Sequence, residues 1–141
     1  MSLFPIRDCL ENEVSLIILT KKQMKDYLLI IKTEGSIWTD LSPEQLQKHM
    51  ENGNAYISSL MEKGILKGAN PIEKSGSRIV TESNGTLKDG PFNESKEVVA
   101  GFFHISAKDV DEAVDIAKNN PIFTDIPTKI EVHPMMPVGG N

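Results

Sequence analysis

The chain carries one cysteine, Cys9, in 141 residues. That excludes an internal disulfide and a CxxC pair for zinc. It suits a reducing compartment, so a cytoplasmic location is expected. Histidine is also scarce. His49, His104 and His133 stand alone, with no HxH or HxxxH spacing, so no metal site and no cofactor are expected. Basic residues are outnumbered: 15 Lys+Arg face 20 Asp+Glu, a net charge of -5. No basic face arises for a phosphate backbone, which excludes nucleic acid as an expected partner. Aromatics are few and build no visible stacking platform. Long apolar runs are missing too. Val14 to Leu19, interrupted by Ser15, is far too short to cross a bilayer, so no membrane association is expected. Asp8, Glu11 and Glu13 lie where a secretory signal needs positive charge and then unbroken apolarity.

What is present is an ordinary globular balance, 39% apolar and 25% charged residues, enough for one domain with a core. Residues 1–23 differ from the rest, and a more regular pattern begins at Met24. The expectation is an extension over 1–23 with a natural start at Met24, or else an extra strand at Val14–Leu19. The domain then covers 24–138, and 139–141 form a tail.

Asp26–Thr33 is short and rich in Leu and Ile, which predicts a buried strand. A polar loop containing Trp38 follows. Ser42-Pro43-Glu44-Gln45 reads as a capping box with proline at the first helical position. Leu46, Met50, Ile57, Leu60 and Met61 then form a stripe on a 3.6-residue period, with Gly53 within it. A helix from about Pro43 to Lys63 is predicted, stopped by Gly64 in the left-handed region. Ile65–Ala69 and Ser77–Glu82 read as strands. Asn84-Gly85 is a strong hairpin signal, with Thr86–Lys88 as a return strand. The chain is expected to turn at Asp89-Gly90-Pro91.

The longest predicted strand is Glu97–Ile105. Simple alternation puts Val98, Ala100, Phe102 and His104 on one face and Val99, Gly101, Phe103 and Ile105 on the other. Asp109 and Glu112 announce a second helix, with Val110, Ala113, Val114 and Ala117 as its stripe. Lys129–His133 is the last strand.

This order is an α+β pattern: a ferredoxin-like split βαβ antiparallel sheet with an inserted β-hairpin. Two helices cover one face of such a sheet. The other face carries Phe102 and Ala100 as well as polar groups, and an apolar sheet face open to water is poorly tolerated. A homodimer packed sheet to sheet is therefore expected.

The segments MKDYLLIIK, LMEKGILKG, DGPFNESKEVVAGFF, DVDEAVDIAKNNP and IEVHP follow in this order. Together they resemble the YCII-related, DGPF-containing family from Met24 to Val138. The resemblance implies a dimeric α+β barrel. Most DGPF members have no assigned reaction. Some resemble accessory proteins encoded beside extracytoplasmic-function sigma factors, which implies a regulatory partner. A related branch resembles small lyases, including an enzyme that removes chloride from a chlorinated hydroxyquinol. That branch uses a helix histidine and an aspartate before the proline after the second helix. Here those positions match Gly53 and Asn120, so the pair does not transfer. His133 also replaces the arginine of the family's usual Glu-Val-Arg-Pro ending.

Candidate site residues follow from position. Asp89, at the expected turn, is a candidate acid or base; capping of the turn's own N–H groups is the plainer role. His49 flanks the first helix's stripe and could move a proton at neutral pH, or be a half-exposed boundary residue. Phe92, Phe102, His104, Glu131 and His133 are the expected lining of a ligand cavity between sheet and helices, with Lys32 or Lys129 nearby. The last three are equally well placed as polar groups paired across a dimer. Three functions follow: a protein binding a small molecule or serving as an accessory, a lyase- or isomerase-type enzyme, and a regulatory partner.

Overall fold

A computed structural model describes residues 24–35, 37–73, 76–90 and 97–138. The proposed extension or strand in 1–23, Cys9, Phe92 and the 139–141 tail lie outside the described residues. Strand β1 spans Lys25–Glu34 and the short helix α1 spans Ile37–Asp40. Helix α2 runs Pro43–Glu62, followed by β2 (Leu66–Pro71), β3 (Ile79–Ser83) and β4 (Thr86–Gly90). Then come β5 (Glu97–Ala107), α3 (Val110–Lys118), the short α4 (Ile122–Asp125) and β6 (Thr128–Pro134).

The main sheet is four-stranded, in the order β2-β5-β1-β6, with every pairing antiparallel. This is the ferredoxin-like arrangement expected from the element order. Strands β3 and β4 form a separate ribbon. Asn84 and Gly85 both have positive φ, 52° and 79°, as a two-residue hairpin turn requires. The ribbon runs on through Asp89 and Gly90, opposite Val80 and Ile79. The chain therefore does not turn at Asp89. Ladder bonding carries the strand further than the Gly-Pro signal indicated.

Local chemistry sets the helix ends. Both halves of the Ser42–Gln45 capping box are made. Gly64 adopts φ +71° after Lys63. Asp109 caps α3 by accepting from the Glu112 N–H at 2.9 Å.

Both core clusters lie on the helix side of the sheet. The larger joins Tyr27, Leu29, Leu60, Ile105, Ala107, Ala113, Ile116 and Ala117; the smaller joins Ile31, Ile122 and Ile126. Alternation in β5 is broken by a bulge: Ile31 pairs with Gly101 but Lys32 pairs with Val99, so Ala100 is the extra residue. Val98 then stands opposite the buried Thr33, and Ala100 packs against the smaller cluster. Both therefore leave the face assigned to them by simple alternation, and Val99 takes their place. Gly101 lets β2 and β5 approach; a Cβ there would meet the Asn70 carbonyl at 3.0 Å.

Helix α2 is rotated relative to its apolar stripe. Leu60 is buried, whereas Met50 and Met61 are 57% and 64% exposed. Polar anchors set the rotation. The Tyr56 hydroxyl donates to the Ile116 carbonyl at 2.5 Å, and its ring packs on Phe103. Burial pushes the Tyr56 hydroxyl up to about 12. An unfolded tyrosine ionises near pH 10. Between pH 10 and about 12 the unfolded chain gives up this proton and the folded chain keeps it. Stability from this group is present below that window and lost as pH rises through it. Tyr56→Phe should therefore show a flatter loss of melting temperature between pH 10 and 12 than the parent chain. Parallel curves would contradict the role given to this hydroxyl.

Candidate functional site

The register sorts the candidate residues onto two separate places. On the side of the sheet away from the helices, Leu28 is flanked by His104 and His133, and Ile30 by Phe102 and Glu131. Glu131 holds Lys32 at 2.9 Å and His133 Nε2 at 3.0 Å. These contacts, with His133 the larger influence, hold the Glu131 carboxyl below its usual value. Asp26 is bound by Lys67, which lowers its carboxyl likewise despite some burial. His104 Nε2 lies 3.6 Å from Asp26 Oδ2, shielded from solvent and beyond hydrogen-bonding reach. Lys129 pairs with Glu97, which raises its ammonium value. Phe102, His104, Glu131 and His133 are thus brought together, but not in a cleft between sheet and helices.

Asp89 stands apart. Arg78 Nη2 donates to its Oδ1 at 2.6 Å, and both side chains are mostly exposed. This is a surface ion pair on the ribbon, contributing at most about 1 kcal/mol.

The helix–sheet edge holds a different group. His49, on α2, and Asp125, the last residue of α4, approach to 3.3 Å between Nδ1 and Oδ2. Their side chains are 18% and 22% exposed. Trp38 on α1 meets the His49 ring edge-on, with centroids 5.2 Å apart. The Trp38 indole N–H donates to Thr33 Oγ1 at 2.8 Å, which fixes the indole against β1. Ile37, Leu41 and Ala100 continue the apolar surround into the smaller core. A carboxylate on Nδ1 keeps the proton on that nitrogen and leaves Nε2 as a base.

Sequence reasoning named His49 but missed Asp125. It looked for an aspartate at Asn120, whose side chain instead accepts from the Ile122 N–H at 3.0 Å, two residues on, just before α4. Asn120-Pro121 was legible as a helix stop; read also as the start of a new short helix, it would have pointed to Asp125. Gly53, the other position compared, meets no atom within 4 Å of an added Cβ.

Among the described residues, no three His, Cys, Asp or Glu side chains gather as metal ligands would. No described helix is long and apolar enough to cross a membrane. No curated protein matches the chain. The model of the YCII-related domain matches residues 24–136, and by that match the chain belongs to the YCII-related family.

Proposed function

We propose that this chain works as a homodimer acting on a small molecule, with His49 as the proton-transferring group and Asp125 as the residue that orients it. The observation that carries this reading is the 3.3 Å contact between two largely shielded side chains from distant parts of the sequence. With Asp125 accepting from Nδ1–H, Nε2 can take a proton from a substrate, and the imidazolium so formed lies against a carboxylate. The same group returns the proton in a later step. Trp38 offers an apolar wall beside it, and Ile37 and Leu41 pack with Trp38 on the smaller core, which suits a substrate with an apolar flank. Asp89 has no part in this reading, because Arg78 occupies it.

The dyad can be tested before any substrate is known. In nitrogen-15 spectra at pH 8, neutral His49 should carry its proton on Nδ1. Asp125→Asn should move population toward the Nε2–H tautomer. An unchanged tautomer would remove Asp125 as the orienting group. Trp38 is the chain's one tryptophan and lies against His49, so its emission reports ligands arriving there. For a turned-over ligand found this way, His49→Gln should cost about 10²–10⁴ in rate. Retained turnover would end the catalytic assignment.

A second reading rests on the cluster of Phe102, His104, Glu131 and His133 on the far face. There a binding or accessory role would need a ligand held between two copies. A ligand whose affinity depends on His104 but not on His49 would favour it.

A further inference from the structure

The dipeptide Asn-Gly occurs twice in the chain, at Asn52-Gly53 and at Asn84-Gly85. Such a pair carries its own electrophile and nucleophile. The asparagine amide carbon can be reached by the next backbone nitrogen, and glycine has no Cβ to hinder the approach. The backbone that holds the pair decides whether it reacts, and this fold holds the two copies differently.

Asn52-Gly53 lies inside α2. There the Gly53 N–H is committed to the carbonyl four residues back. Freeing it means opening the helix between His49, which contacts Asp125, and Tyr56, which donates to Ile116. An opening that breaks such packed contacts approaches the cost of unfolding the domain. Asn84-Gly85 is instead the turn of the β3–β4 ribbon, with both residues exposed and both at positive φ. Every residue from Ile79 to Asp89 is exposed, and among the described residues the two strands pair only with each other. A two-stranded ribbon with no buried face opens readily. The Gly85 N–H donates to Glu82 Oε1 at 2.7 Å, a contact between exposed groups.

We propose that Asn84 is a site of spontaneous deamidation and that Glu82 sets its rate. Base removes the Gly85 amide proton, and the nitrogen attacks Asn84 Cγ. The N–Cγ bond forms and the Cγ–Nδ2 bond breaks; Nδ2 takes a proton from water and leaves as ammonia. Water then opens the cyclic imide at either carbonyl, giving aspartate or isoaspartate, with no change of oxidation state. Glu82 opposes the first step. Its carboxylate holds the proton that must leave, and it faces the nitrogen anion that would remain. The isoaspartate product lengthens the main chain by one methylene. A two-residue turn is matched to the twist of its strands, so the longer one disturbs the closing pair Ser83–Thr86. The new carboxylate also stands near Glu82, in a chain whose net charge is already -5. Modification therefore loosens the ribbon.

Incubation of the folded full chain at mildly alkaline pH tests this, with peptide mass spectrometry that resolves isoaspartate from aspartate. Asn84 should convert at least about tenfold faster than Asn52, because only its backbone opens locally. In concentrated urea the two rates should converge. Glu82→Gln, which keeps the side-chain length and removes the charge, should speed conversion at Asn84 about fivefold and leave Asn52 unchanged. Equal rates at the two positions in the folded chain, or a ratio that urea leaves unchanged, would overturn the control by the fold. A Glu82→Gln chain whose Asn84 converts no faster than the parent's would overturn the role of Glu82.

Discussion

Ile105→Ala should lower the free energy of unfolding by about 4 kcal/mol, near the upper end for a buried isoleucine. Ile105 has no exposed surface and pairs with Tyr27 on one side and Leu66 on the other. Its cluster includes Ala107 on the same strand and Ala113 and Ala117 on α3. Those alanines bring the helix close to the sheet, and none has a side chain long enough to swing into a void. The cavity therefore stays open, and its cost adds to the lost transfer energy. Against a typical total of about 5–15 kcal/mol, the loss takes a large share of stability. Urea unfolding should show a lower midpoint with an unchanged slope. Leu87→Ala is the control: Leu87 is 73% exposed, on the β3–β4 ribbon, and should cost under about 1 kcal/mol. A loss below about 1.5 kcal/mol for Ile105→Ala would mean that α3 does not pack as described.

That core was readable from spacing. A short Leu- and Ile-rich run located β1, alternation sorted the faces of β5 and β6, and capping residues located α2 and α3 to within a residue or two. The errors have one kind of cause. The bulge at Ala100 comes from pairing with β1, which no property of β5 alone reveals. The rotation of α2 is set by Tyr56 reaching Ile116 and His49 reaching Asp125, partners 60 and 76 residues away. A stripe of Leu and Met says which side of a helix is greasy. It does not say which side has the stronger anchors, and here Met50 and Met61 are left outside. For the same reason His49 looked like a lone boundary histidine. Asp89 showed the opposite failure. A forceful local signal gave it prominence, and strand pairing with Val80 placed it on an exposed ribbon beside Arg78.

Ile30→Glu should separate the proposed dimer, raising its Kd at least a hundredfold at pH 8.0, equivalent to about 2.8 kcal/mol. Ile30 lies between Phe102 and Glu131 in the middle of the uncovered face. It belongs to neither core cluster and is only half-buried in the protomer, so the substitution leaves the fold intact. A glutamate there stands beside Glu131, whose Lys32 partner is already engaged. When two faces close, each copy must strip water from a carboxylate that finds no cation, at a cost of several kcal/mol per ion. Ile30→Val keeps the apolar strip and should keep the dimer. An Ile30→Glu chain that sediments as the parent dimer would place the contact elsewhere.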